Sequence, residues 1–477
     1  MLFPTIDFAI FFGIVFVLNW LLAPFPKPWR VVMLAASYFF YAWWDWHFIF
    51  LLMASTLITV VGGRAINKAR APIAKRNWLI VTVIADLGML GWFKYYGFFS
   101  LTFDNTVNHF GFGHPVPLLQ VILPIGISFF TFMALSYVID IYRGSLEPAP
   151  WLDVAVYLSF FPHLIAGPIV RGSDLLPQIR RANRRDPRRI ALPRAAYLIF
   201  AGLFKKVVLS SYVSSAIVDP VFANPHSHSA LEVLFAIWGF AVQIYCDFSG
   251  YTDIAIGLAL LLGFRFPENF DGPYTARSLQ DFWRRWHITL SLWLRDYLYI
   301  PLGGNQGSRG MLYRNIIITM VLGGLWHGAA WTFIIWGAIH GFGQCIGHAR
   351  RANRIAMGLP PQAEGRWALA WQRFATFQIV CLGWIFFRST SMANAVAMLG
   401  RLATGWGQAS PLVRFPVVLA IVVGIGIQYL PKGLALRTQE VFSRLSLVMQ
   451  GAALAVILLI ITTLGPPGVA PFIYYRF

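Results

Sequence analysis

Residues Leu322–Gly341 read LGGLWHGAAWTFIIWGAIHG, inside an apolar run that extends from 311 to 348. About 20 apolar residues cross the roughly 30 Å hydrocarbon layer of a bilayer, so this run is long enough for two passes. It also holds an imidazole, His327, between Trp326 and Gly328 and well away from the polar ends of the run. An ionisable group in such surroundings is costly and reads by default as a functional position, the alternative being a histidine satisfied by an interhelical hydrogen bond. The rest of the chain has the same character. Of its 477 residues, 58% are hydrophobic and 12% charged, against about 25% charged in a soluble domain. Together with a mean hydropathy of +0.63, this excludes a soluble enzyme. Forty-one Phe, 19 Trp and 18 Tyr fit a membrane protein, since Trp and Tyr favour the bilayer interface.

Further apolar stretches lie near 5–23, 30–46, 47–63, 77–96, 118–141, 195–218, 230–246, 374–390, 414–430 and 447–465. The expectation is an all-α, polytopic integral membrane protein with roughly 11–12 transmembrane helices, as one domain over 1–477 with its core motifs in 118–390. The net charge of +19 is read as the excess of Lys and Arg in cytoplasmic loops, not as a nucleic-acid surface. Arg64, Lys68, Arg70, Lys75 and Arg76 cluster in one loop, and Arg171 to Arg194 include eight arginines in another. Both are expected inside, while 101–117 and 219–229, without Lys or Arg, are expected outside. Both termini are then extracytoplasmic. Parity makes the apolar segment 151–170 enter and leave on one face, turning near Pro162, His163, Gly167 and Pro168. Broken backbone of this kind is tolerated at membrane depth only when it is buried in protein or lines a wet cavity. The alternative is an amphipathic helix on the cytoplasmic surface. Residues 265–310 are too polar to span and too aromatic for an exposed loop, so a bent, partly inserted helix is expected there.

Two histidines stand out. His327 is one. The other is His287, in Asp281-Phe282-Trp283-Arg284-Arg285-Trp286-His287, expected one helical turn after Trp283 and Arg284. No carboxylate stands at metal-ligand spacing from them, and there is no HExxH, GxSxG or P-loop, which points to acid–base chemistry and to no metal. Cys246, Cys345 and Cys381 show no CxxC spacing, so neither a zinc site nor a disulfide framework is indicated. Asp247 lies in a third polar patch, Tyr245–Asp253, which reads as a capped turn between helices at Gly250. Lys205 and Lys206 either line a cavity or snorkel to the cytoplasm.

The run SLQDFWRRWHITLSLWLRDYLYIPLGGN (Ser278–Asn305), followed by LGGLWHGAAWTFIIWGAIHG, resembles the membrane-bound O-acyltransferase family, in its bacterial alginate O-acetyltransferase branch. PIGISFFTF (Pro124–Phe132), FPHLIAGPIVR (Phe161–Arg171), YCDFSGYTDIAIG (Tyr245–Gly257) and WIFFRS (Trp384–Ser389) extend the resemblance. It implies a ring of helices with re-entrant segments around a central tunnel in the bacterial inner membrane. His327 would be the catalytic base, assisted by His287. An imidazole with pKa near 6.5 can take a proton from a hydroxyl as it attacks a thioester. The implied donor is an acyl thioester, acetyl-CoA or acyl-carrier type, with no tightly bound cofactor. Substrate-binding candidates are Trp326, Arg284, Arg285, Arg295, Tyr299, Asn305, Asp247 and His163, since arginine suits phosphate and pantetheine-linked groups. Membrane lipid, a periplasmic esterase-like acetyltransferase and the exopolysaccharide machinery are the implied partners. D-alanyl transfer toward teichoic acid and a proton-coupled transporter are the alternatives.

Overall fold

A computed structural model describes residues 1–109, 122–181, 185–466 and 472. It divides into two compact units, one of residues 1–195 with 255–267 and one of 196–254 with 268–477. Every regular element among the described residues is helical, with no strand among them. Arg184, His114, the later part of the 101–117 connection and the start of the 118–141 stretch lie outside the described residues.

The first unit contains the helices Ile6–Leu21, Pro26–Ala42, Phe48–Lys68, Pro72–Leu90 and Ile127–Tyr142. Glycine brings two of them close: a Cβ on Gly62 would lie 2.2 Å from Thr82 Oγ1 of the neighbouring helix. The Pro72–Leu90 helix continues through a π-helical turn, Gly91–Tyr95, into Tyr96–His109. Residues 101–109, expected in an outer loop, are therefore helical. The segment 151–170 is broken: Trp151–Ser159 is helical, a four-residue helix Phe161–Leu164 follows, and 153–170 are all buried. Burial on every side does not suit a surface amphipathic helix. The Tyr157 hydroxyl lies 3.1 Å from the Val170 carbonyl oxygen, which ties the two arms of the broken segment together. Further along, the Arg185 guanidinium sits over the Trp20, Trp29 and Phe264 rings at 4.4–5.5 Å and donates to Asn19 Oδ1.

The second unit takes up the helix Leu192–Leu203, which runs on through π-helical turns at Phe204–Ser210 and Ser214–Val218. It also holds most of a 32-residue helix, Ala230–Leu261, about 48 Å long at 1.5 Å per residue. This helix is continuous through Asp247 and Gly250, so the turn expected there is absent. Gly250 has a packing role instead: its Cβ would lie 2.7 Å from Gly202 O, and that of Gly202 2.5 Å from Gly250 O. The close approach brings two lysines onto two aspartates. Lys205 Nζ donates to Ser249 Oγ (2.9 Å) and Asp253 Oδ2 (2.5 Å), and Lys206 Nζ pairs with Asp247. Neither lysine snorkels; both are buried.

Among the described residues, five helices are long and apolar enough to cross a membrane: Phe48–Lys68, Pro72–His109, Leu192–Ala223, Ala230–Leu261 and Leu447–Leu464. The pair Phe415–Tyr429 and Lys432–Arg444, bent by 90°, makes a sixth if taken as one span. That is fewer than the 11–12 stretches read from the sequence, for two reasons. Ile6–Leu21 and Ile127–Tyr142 are apolar but shorter. Others, such as Arg309–His327 with Arg314 and Asn315, dilute apolar length with polar side chains.

Candidate active site

The 311–348 run folds as the hairpin its length implied. Arg309–His327 starts at Ser308, whose hydroxyl accepts from Met311 N (3.3 Å), and Trp331–Ala356 returns. The two helices meet backbone to backbone. A Cβ on Gly324 would lie 2.2 Å from Phe333 O, and one on Gly337 2.4 Å from Met320 O. With Gly337 and Gly341 four apart, this is the small-residue helix contact common in membranes. His327 is the last residue of the first helix, beside the turn and not in mid-span. Its ring is buried edge to face among Trp326 (5.0 Å), Trp336 (5.0 Å) and Phe387 (5.2 Å).

Residues 265–310 form short pieces instead of one bent helix: Leu279–Trp283, capped by Ser278, then Ile288–Leu294 and a π-helical turn, Arg295–Tyr299. Between the first two, His287 adopts the left-handed conformation (φ 42°, ψ 57°) and is the sole non-glycine residue with positive φ among the described residues. Such backbone costs on the order of 1–3 kcal/mol and collects at functional sites. The conformation also removes His287 from the helical face of Trp283 and Arg284 that its spacing suggested. The imidazole is fully buried, with Nδ1 3.1 Å from Asn269 Oδ1. Phe248 packs edge-on at 4.7 Å, and Trp326 lies 6.0 Å away. Trp326 thus touches both histidines.

Two residues that sequence reasoning passed over belong to this cluster. Asn269 is one. The other is His340, fully buried, whose Nδ1 accepts from Trp283 Nε1 at 3.3 Å and whose ring lies 4.9 Å from Trp336. The indole N–H can only donate, so His340 is neutral with its proton on Nε2. Gly383 presses against this edge: its Cβ would lie 3.0 Å from His340 Nε2 and 3.2 Å from Trp336 Cδ1. One signal was present, a second histidine one residue before Gly341 in an apolar stretch.

Of the other predicted site residues, Asp247 is buried against Lys206, one residue before the Phe248 that packs on His287. Arg285 is tied to Asp281 (2.7 Å) and to Asp271 O (3.2 Å), which closes the loop it sits in. Arg284 and Asn305 are exposed. Arg295, also exposed, grips its neighbour Asp296 at 2.6 and 3.1 Å. The Tyr299 carbonyl accepts from Gly304 N (2.9 Å) in the PLGGN turn. His163 lies in the first unit, buried, with Nε2 3.1 Å from Tyr157 O and its ring 5.3 Å from Phe266. Among the described residues no group of three or more His, Cys, Asp or Glu gathers as a metal site.

Two buried imidazoles in a cage of aromatic rings are equipped to move a proton. Comparison with known proteins gives the class. The family model of the membrane-bound O-acyltransferases matches residues 127–354, which include both histidines. A probable alginate O-acetylase of Pseudomonas aeruginosa is 42% identical over 391 residues, 81% of this chain and 72% of the relative. A peptidoglycan O-acetyltransferase of Helicobacter pylori is 39% identical over 407 residues, 79% and 73% of the two chains. A teichoic acid D-alanyltransferase of Streptococcus thermophilus is 30% identical over 281 residues, 55% of this chain and 68% of the relative. The chain belongs to the membrane-bound O-acyltransferase family. It is an O-acyltransferase and a membrane protein.

Proposed function

We propose that this enzyme moves an acetyl group from a cytoplasmic thioester, acetyl-CoA or a carrier-bound acyl group, toward hydroxyls of an extracytoplasmic polysaccharide. The transfer is direct or runs through a periplasmic esterase-like partner within an exopolysaccharide pathway. The reading places the chain in the bacterial inner membrane with both termini outside. The observation that carries it is the pair of buried imidazoles, His327 and His287, in contact with the same Trp326 indole. In this reaction the acceptor oxygen forms a bond to the thioester carbonyl carbon as the C–S bond breaks. His327 takes the hydroxyl proton and returns it to the leaving thiolate. A positioned base of this kind typically contributes about 10²- to 10⁴-fold. Trp326 bridges the two rings, and a wall of tryptophan and phenylalanine keeps bulk water, a competing nucleophile, from the acyl carbon.

The acetyl reading is favoured over D-alanyl transfer because the alginate O-acetylase and the peptidoglycan O-acetyltransferase match along 81% and 79% of the chain and the D-alanyltransferase along 55%. The test is chemical. Cells lacking the gene, and cells with it restored, are compared for base-labile esters on their envelope and secreted polysaccharides. Acetate lost on deletion and regained on restoration supports the reading. D-alanine lost in its place overturns it in favour of the runner-up, and no change in either ester overturns both.

A further inference from the structure

The hydrogen bonds around Asn269 fix more than a loop. Its side-chain oxygen accepts from the Thr289 backbone N–H (3.0 Å) and from the Thr289 hydroxyl (2.9 Å). A backbone N–H can only donate, so the atom facing it is the amide oxygen and not the amide nitrogen. The same oxygen lies 3.1 Å from His287 Nδ1. An acceptor there requires a proton on Nδ1, whether the imidazole is neutral or charged. His287 can then gain and lose a proton only at Nε2. The backbone of Asn269 adds a further tie, because its carbonyl accepts from Ile288 N at 2.9 Å. One buried asparagine therefore grips three successive residues, His287, Ile288 and Thr289, at the point where the chain takes its one left-handed non-glycine turn among the described residues.

We propose that Asn269 is a positioning residue for acyl transfer, holding His287 as the Nδ1–H tautomer so that Nε2 is its working nitrogen. The proposal rests on the reading above in which His287 takes part. It follows the logic by which a buried carboxylate orients a catalytic histidine, with one difference in charge. An aspartate would satisfy the same three donors but would favour the imidazolium, which has no lone pair to offer. The amide leaves the imidazole neutral. Its own Nδ2 is buried without a hydrogen-bond partner among the described residues. That unpaired donor carries a desolvation cost that a carboxylate would not have carried. The charged and titratable groups nearby are Glu268, next to Asn269, and Asp271 in the same loop, Asp247, paired with Lys206, and Tyr251 on the Ala230–Leu261 helix, His327 beyond Trp326, and Arg284 and Arg285 on the same segment. None of these is the acceptor at Nδ1; Asn269 is.

The test reads the tautomer directly. The full-length protein is labelled with ¹⁵N-histidine, reconstituted in bilayers, and examined by solid-state NMR, the His287 signals being those lost in His287→Gln. The expected result is a protonated Nδ1 and an unprotonated Nε2 in the native protein. In Asn269→Asp the fraction with both nitrogens protonated should rise at a given pH, with the titration moving up by about one to three units. A proton on Nε2 with Nδ1 bare in the native protein overturns the proposal, and so does an unmoved titration in Asn269→Asp. In cells, Asn269→Leu and His287→Ala should lower polysaccharide acylation by similar factors. Full acylation by His287→Ala with the expected tautomer sinks the participation of His287. Loss in His287→Ala with full acylation in Asn269→Leu sinks the positioning role alone. The native-protein spectrum decides the tautomer even if Asn269→Leu fails to fold.

Discussion

Gly337→Ala should silence the enzyme from a position that touches no substrate. The added Cβ would fall 2.4 Å from Met320 O, 2.9 Å from Val321 Cα and 3.0 Å from Met320 C, all backbone atoms that cannot rotate away. Ordinary contact needs about 3.5 Å, so the two helices of the hairpin must part by roughly 1 Å. Trp336, the residue before Gly337, and His327, the end of the facing helix, are held 5.0 Å apart by that contact. A displacement of about 1 Å between catalytic groups can cost about 10²-fold in rate, while overpacking costs about 1–3 kcal/mol of stability. The assay pairs base-labile acetate on polysaccharide with the amount of folded protein in the membrane. The built-in control is Gly347→Ala on the same helix, whose Cβ would meet only Gln280 Oε1 at 4.0 Å. It should leave both readouts unchanged. Full acetylation by Gly337→Ala at native protein levels would refute the backbone contact and the precision it is said to give His327.

Other perturbations separate packing from chemistry. Lys206→Met, which removes the cation paired with buried Asp247, should destabilise by about 3–5 kcal/mol, and Lys206→Met with Asp247→Leu should recover most of it in a denaturation series. Even Gly167→Ala should reduce folded protein, because its Cβ would lie 2.4 Å from His163 Cα; normal yields of that variant would show the turn to be looser than described. Cysteines at Ser227 and Arg189 should differ toward an impermeant maleimide in intact cells, Ser227→Cys labelling and Arg189→Cys not. The native Cys246, Cys345 and Cys381 are buried and give little background. The reverse pattern would invert the proposed orientation.

What the sequence made legible follows from local physics. The hairpin at 311–348 could be read because length against bilayer thickness is a one-dimensional question, and the break in 151–170 because charge parity is another. His327 and His287 could be read because an imidazole among apolar residues is conspicuous in any window. Asn269 and His340 could not. Their parts depend on bonds to residues 18 and 57 positions away, and no local pattern encodes those distances. The expected break at Gly250 failed for a related reason: glycine marks either a turn or a close approach, and only the facing Gly202 decides which. The helical phase assigned to His287 failed because a single left-handed residue reset it. The arginines could be identified as basic, but their partners, Asp281 for Arg285 and Asp296 for Arg295, are set by the folded segment.

The central claim is that His327 is the base that takes the acceptor's proton, and His327→Ala tests it most directly. Loss of one buried ring should cost only a few kcal/mol in a bundle of this size, so the variant should insert and fold. Membrane abundance and thermal unfolding are measured alongside polysaccharide acylation in the same cells. The account predicts near-native abundance with acylation lowered about 10²- to 10⁴-fold, and a milder loss for His287→Ala. Acylation by His327→Ala at the native level, with the protein present and folded, would contradict it.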